Sequence, residues 1–305
     1  MNWFLIALIG PLLYAVTNHI DKILLEKYFK KGGVSTIILI SSLVSIFALP
    51  FFYWADPTVL TVSSIHILIL SIVGALNILV LWFFLLALEH EEASVAVVFY
   101  QLVPVFGYIL GYFVLGEVLT KMQLIAMSII ILGTTIISFE IDTDNNFRLR
   151  RKTIPLMLSA SFFWALGSVT FKAVALEENV WRSLFWEHVV LVIIGVGIFI
   201  FSNSSRKNFL LAIKNNSGGV IVLNIFNEFL FIMGNLTFSF AYLLAPIALV
   251  LLTESFQPIF VLIIGIFLTV FFPRISVEKI QAKHLWQKII AIFLTGIGTY
   301  LLFID

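Results

Sequence analysis

The chain has 305 residues, 61% of them hydrophobic and only 11% charged, with a mean hydropathy of +1.10. No soluble fold covers that much apolar surface, so the bilayer is the solvent this chain expects. A net charge of +1 excludes a strong electrostatic footprint for nucleic acid, and the lack of cysteine excludes disulfides, thiolate metal sites and thiol nucleophiles.

A spanning helix needs about 20 apolar residues at about 1.5 Å of rise each. Such runs predict ten helices, over 2–26, 34–54, 64–88, 93–115, 121–139, 153–175, 183–202, 217–242, 246–271 and 285–303. The first run, MNWFLIALIGPLLYAV, has no Lys or Arg ahead of it and reads as a retained helix, not a cleaved signal. The longest polar stretches, 141–152 and 202–216, read as connections. The expected fold is an all-α membrane protein of ten transmembrane helices. The first five fall in 1–140, a basic linker occupies 141–152, and the other five fall in 153–305.

An ionisable group at the centre of a span costs about 2.5–3.5 kcal/mol or more, so it faces a cavity or a partner. Near the end of the first helix, Asn18, Asp21 and Lys22 share a face, with His19 a step away. Lys22 either snorkels to the interface with Asp21 as its pair, or lines a cavity. In the third helix Asn77 and Trp82 are candidate cavity lining. The fourth carries Tyr100 and Gln101 ahead of Pro104, which frees the Tyr100 carbonyl and kinks the helix. Gly107 and Gly111 are read as a packing pair, and Glu117 as a terminal anchor. In the sixth helix Trp164 and Ser168 precede Lys172, which occupies the place of Lys22. Glu187 and His188 fall in the first two turns of the seventh, where interfacial exposure is expected.

The eighth helix, VIVLNIFNEFLFIMGNLTFSFAY, is the most informative. At about 100° per residue, Asn224, Glu228 and Asn235 fall within about 40° of one another, with Asn227 beside them. The stripe is either interhelical hydrogen-bond glue or the wall of a wet site, and Glu228 favours the second. The ninth helix gathers Thr253, Glu254, Ser255 and Gln257 directly before Pro258, which frees the Glu254 carbonyl.

Charge placement gives an orientation. With alternating helices, 14 of the 18 Lys and Arg residues fall on one side, which places both termini outside the cytoplasm. The acidic EHEE of 89–92 is expected to face outward as well. An offset of 154 aligns Ala87 with Ala241, Pro104 with Pro258, Phe106 with Phe260 and Gly111 with Gly265. LLYAVTNHIDK of 12–22 likewise lies over FFWALGSVTFK of 162–172. Five helices per copy is an odd number, so the second copy enters the membrane inverted, as in many carriers.

Residues 93–137, ASVAVVFYQLVPVFGYILGYFVLGEVLTKMQLIAMSIIILGTTII, resemble the end of the first repeat in the drug/metabolite transporter superfamily, EamA type. APIALVLLTESFQPIFVLIIGIFLTVFF of 245–272 resembles the same element in the second repeat, with Phe-Phe-Pro where Gly-Glu is usual. The resemblance implies a ten-helix carrier with a cavity lined by helices 1, 3, 4, 6, 8 and 9. Many relatives keep both termini in the cytoplasm, against the charge count followed here.

The expected function is secondary transport of small organic metabolites by alternating access. Amino acids, amines and other cationic or zwitterionic solutes suit its acidic interior. The carboxylates Glu228 and Glu254 are the candidates for proton exchange. Substrate and proton are to be held by these two with Gln101, Tyr100, Asn224, Asn227, Asn235, Gln257, His19, Asp21, Lys22, Trp164 and Lys172, next to the kinks at Pro104 and Pro258. The expected partners are a small-molecule substrate, the lipid bilayer and protons, with a homodimer left open. No cofactor, metal or nucleic acid is expected, and the location is a bacterial inner membrane. The runner-up is an intramembrane enzyme acting on lipid, but neither H-E-x-x-H nor G-x-S-x-G is present and the five His are dispersed. A channel would need a more open polar pore.

Overall fold

The computed structural model describes residues 2–29, 33–91, 93–137, 139–141, 147–149, 151–215, 218–272 and 282–301. The first span is α1 (Asn2–Ile23), prolonged by a π-helical turn over Leu24–Tyr28. Next come α2 (Gly33–Val44) and α3 (Leu49–Ala55), then α4 (Ser64–Leu88). The short α5 (Ala93–Ala96) leads into α6 (Val103–Leu115), and α7 (Lys121–Ile137) follows. A two-stranded antiparallel hairpin, β1 (Phe139–Ile141) with β2 (Phe147–Leu149), pairs Glu140 with Arg148, so the linker carries a small strand pair that the all-helical reading did not include.

The remaining helices are α8 (Thr153–Glu178), α9 (Val180–Phe201), α10 (Asn203–Asn215) and α11 (Gly218–Tyr242). They are followed by α12 (Ile247–Leu252), α13 (Gln257–Phe271) and α14 (Ala282–Leu301). Among the described residues, eight helices are long and apolar enough to cross a bilayer, which makes the chain an integral multi-pass membrane protein. The eight lie over Trp3–Tyr28, Gly33–Ala55, Ser64–Leu88, Val97–Leu115, Thr153–Glu178, Val180–Phe201, Gly218–Tyr242 and Ile247–Phe271. α7 and α14 pack along one another.

Three prolines shape these helices in one way. Pro50, Pro104 and Pro258 each stand in the first turn of α3, α6 and α13, and each lacks the N–H that would bind the carbonyl four residues back. The turn before each tightens into a 3-10 run: Ser45–Phe47, Val97–Leu102 and Thr253–Phe256. The second and third of these runs touch each other, and the third also touches α1. Two broken helices therefore meet inside the bundle.

Packing is inverted relative to a soluble protein. Phe47, Trp54, Phe113 and Phe201 point outward, as lipid contact requires, while Asn18, Asp21, Gln101, Asn224, Glu228 and Glu254 are buried. α4 runs against α8 and α9, α1 against α11, and α6 against α8 and α12. The α8–α9 connection shrinks to one residue, Asn179, held at φ 102°, whose side chain accepts from the Arg182 N–H at 3.0 Å. α9 thus begins at Val180, earlier than the sequence suggests, and residues 203–215 form a helix where a loop was expected.

Candidate functional site

Two adjoining cavities lie between the helices. The larger, of about 770 Å³ including its mouth, is walled by α1, α4, α8, α9 and α11, with Tyr100 and Gln257 reaching in from the broken helices. The six spans that the resemblance implies all contribute, and α9 adds a seventh through Glu187. Its wall is aromatic: Tyr14, Phe84, Tyr100, Trp164, Phe171, Phe231 and Tyr242. Trp164 stands edge-on to Tyr100 at 4.8 Å and to Tyr14 at 5.7 Å, while Tyr14 stacks on Phe231 and Phe238. The Tyr242 hydroxyl donates to Ser168 Oγ at 3.1 Å. Asp21 and Glu187 supply carboxylates, and among the described residues no Lys or Arg lines either cavity.

The smaller chamber, of about 570 Å³ including its mouth, lies between α1, α2, α4, α9 and α11, and ten of its fourteen lining residues are polar. It contains Glu228, Asn227, Ser41, Ser42 and His188, and shares Thr17, Asp21, Asn77, Glu187 and Asn235 with its neighbour. Glu187 Oε1 accepts from Asn77 Nδ2 at 2.7 Å and from Asn235 Nδ2 at 3.3 Å. Asp21 Oδ1 accepts from Asn227 Nδ2 at 2.7 Å. Among the described residues, no three His, Asp or Glu side chains gather as metal ligands.

Gln101 and Glu254 sit behind these walls, at the meeting of the two broken helices. Neither the amide of Gln101 nor the carboxyl of Glu254 has a hydrogen-bond partner among the described residues, although both are fully buried. Glu254 is within electrostatic reach of Tyr14, Tyr100 and Tyr242 on the aromatic wall. Asn224 is buried with both side-chain polar atoms unpartnered among the described residues, and it lines neither cavity. His19 is turned away, its Nε2 donating to the Val261 carbonyl at 2.8 Å.

Several expectations are corrected. Asp21 does not pair with Lys22, whose Nζ donates instead to the carbonyls of Leu88 (2.7 Å) and Glu91 (2.6 Å) and meets Glu26 at 3.1 Å. Lys172 lines neither of the two cavities: its Nζ binds Glu117 Oε1 at 2.6 Å and the Ala245 carbonyl at 2.7 Å. Glu117 is thus an internal ion-pair partner, and its second oxygen accepts from the Ile247 N–H at 2.7 Å. Glu187 and His188 are both 2% exposed, because the early start of α9 carries them into the bundle against α4. Trp82 faces outward, half exposed. Of the EHEE segment, Glu91 shares the basic end of the bundle, since it accepts from Thr153 Oγ1 at 2.9 Å and its carbonyl holds Lys22, while residue 92 lies outside the described residues. The 19 steps along α8 from Thr153, beside Glu91, to Lys172 separate the two lysine sites by about 28 Å along the helix axis.

A polar belt closes the Lys172 end. Asp56 accepts from the Thr58 N–H (2.9 Å), the Thr58 hydroxyl and Asn179 Nδ2 (2.9 Å), with Arg182 Nε at 3.4 Å. These bonds, Thr58 and Asn179 first, hold its carboxyl down at about 2, below the ordinary 3.8. Arg182 also reaches Glu178 and Thr58, and Trp186 Nε1 donates to the Val59 carbonyl at 2.7 Å.

With this geometry in hand, comparison with known proteins points one way. Residues 1–139 match the EamA-like transporter family, within the drug/metabolite transporter superfamily. Over that stretch, just under half of the chain, it is similar to a family of membrane transporters. A solved crystal structure of a protein 14% identical to this one matches 98% of this chain and 96% of its own, with a TM-score of 0.59. At that identity the likeness speaks for the fold alone. A comparison with curated proteins returned no match.

Proposed function

We propose that the chain is a secondary carrier of ten spans, α7 and α14 included, built as two inverted five-helix repeats over 1–140 and 153–305. The family match ends at residue 139, where the hairpin begins. Each half carries a lysine near the end of its first helix that binds backbone carbonyl oxygen at or just past the end of its third, Lys22 on Leu88 and Glu91 and Lys172 on Ala245. Each half also breaks its fourth helix into a 3-10 run ahead of a proline. The basic end of the bundle is assigned to the cytoplasm of a bacterial inner membrane, with both termini outside.

The observation that carries the reading is the larger cavity, enclosed between elements of both halves and combining an aromatic wall with Asp21 and Glu187. Aromatic faces and carboxylates with no opposing cation suit an organic ammonium, so amines and zwitterions such as amino acids are the proposed substrates. Rocking of the two halves exposes this cavity to each side in turn. Glu254, buried without a partner behind the tyrosines, and Glu228 in the smaller chamber are the proposed proton-exchanging groups.

Counterflow in liposomes, with a panel of amino acids, amines and nucleotide sugars, tests the carrier. Saturable exchange of an amine or zwitterion is expected, cut at least tenfold in Glu187→Ala. Steady conductance without saturation, or covalent change of the solute, overturns it. Flux is expected to follow an imposed pH gradient. Insensitivity to that gradient, or full activity in the double variant Glu228→Gln with Glu254→Gln, removes the proton.

A further inference from the structure

The smaller chamber holds a surplus of oxygen acceptors. Asp21 and Glu228 stand within electrostatic reach of each other, and the nearest basic side chain in sequence, Lys22, is committed to Leu88, Glu91 and Glu26. The only donors directed at these carboxylates are Asn227 Nδ2 on Asp21 and the Ser41 hydroxyl on Glu228 among the described residues. With its nitrogen so engaged, Asn227 presents its Oδ1 to the other side, where it is buried and unpartnered among the described residues. Ser42 Oγ, from the same wall, is likewise buried and unpartnered. His188 offers no bridge, since its Nδ1 is spent on the Leu184 carbonyl at 2.9 Å.

A proton satisfies a carboxylate but not an amide oxygen, which is far too weak a base to take one. Hard cations take carboxylate, amide and hydroxyl oxygens together. We propose that this chamber binds an alkali-metal cation through Asp21, Glu228, the Asn227 amide oxygen and the Ser42 hydroxyl. Two carboxylates without three convergent ligating side chains suit a monovalent ion and not a transition metal.

The chamber's position gives the ion a use, which rests on the carrier reading above. Asp21, Asn77, Glu187 and Asn235 belong to both walls, so a cation behind Asp21 changes the charge this residue presents to the substrate cavity. Ion and substrate then influence each other's affinity by the same factor in both directions.

Binding is read without a transported substrate. The full-length protein in nanodiscs is heated in NaCl, KCl or choline chloride at constant ionic strength and pH. A saturable rise in Tm in Na⁺ or K⁺ over choline is expected, on the order of 5 °C at a hundredfold excess over Kd. Ser42→Ala is expected to weaken the apparent Kd about tenfold, and Glu228→Gln to abolish the shift, while Trp164→Phe in the neighbouring cavity keeps it. Identical melting in the three salts overturns the proposal and describes a merely hydrated chamber. A shift unchanged in both Ser42→Ala and Glu228→Gln overturns the location. Either result leaves counterflow, and with it the carrier, untouched.

Discussion

Lys22, near the end of α1, reaches the carbonyls of Leu88 and Glu91 at and just past the end of α4, and Lys172, near the end of α8, reaches the Ala245 carbonyl three residues past the end of α11. A cation there answers the helix dipole and satisfies carbonyls that have no partner within the helix. The company differs. Lys22 adds Glu26, a carboxylate half in solvent and on its own helix, whereas Lys172 adds Glu117, mostly buried and brought from α6. Glu117 in turn caps the start of α12 through the Ile247 N–H. One site closes a helix end; the other ties three helices together. The same residue at matched positions therefore contributes a local cap in one half and a tertiary clasp in the other.

The largest effect is expected at the clasp. Lys172→Met strands the Glu117 carboxylate in a low-dielectric setting, which costs about 3–5 kcal/mol when one partner of a buried pair is removed. Thermal melting of the purified protein checks this, and the double variant Lys172→Met with Glu117→Gln should recover most of the loss. Lys22→Met removes only bonds to carbonyls and an exposed partner, so about 1.5–3 kcal/mol is expected. Equal losses at the two sites would erase the distinction between cap and clasp.

Eight of the ten expected spans were legible because a bilayer imposes one rule, about 20 apolar residues per crossing, and makes each polar exception conspicuous. The two prolines marked the broken helices for the same reason, through a missing N–H. What periodicity did not carry was the pairing across the bundle. Glu187 was assigned to the interface because its helix was started too late, and the one-residue turn at Asn179 leaves no polar stretch to mark it. The sequence leaves Lys172 open between the interface and a cavity, and no local pattern points to its partner Glu117, 55 residues earlier. The stripe on α11 divided: Asn227, Glu228 and Asn235 line cavities and Asn224 does not, a split that an angular range of about 40° does not resolve.

The clasp is sharpened by its glycine. A methyl group added at Gly111 would stand 2.8 Å from Ile247 Cγ2 and 3.3 Å from Glu117 Oε2, so α6 approaches α12 closely at this point. Gly111→Ala forces the clasp apart at about 1–3 kcal/mol of overpacking, offset by about 1 kcal/mol of helix propensity. A net loss near 1 kcal/mol is expected in wild-type background and close to none once Glu117→Gln has already opened the site. Additive losses in the double variant would show that Gly111 and the clasp are independent.

The smallest effect belongs to the belt of Asp56, Asn179 and Arg182, which has no counterpart among the described contacts at the Lys22 end. Asp56 is partly exposed, and its bonds to Thr58 and Asn179 favour the ionised form in the folded state. Its contribution is therefore fully present above the ordinary carboxyl value of 3.8 and disappears as pH falls toward about 2. Melting curves between pH 6 and pH 2 should drop more steeply for the wild type than for Asp56→Asn across the window from about 4 to 2, and the two should run parallel above it. Parallel curves throughout would mean that the belt is an exposed ornament and that the Lys172 end owes its closure to Glu117 alone.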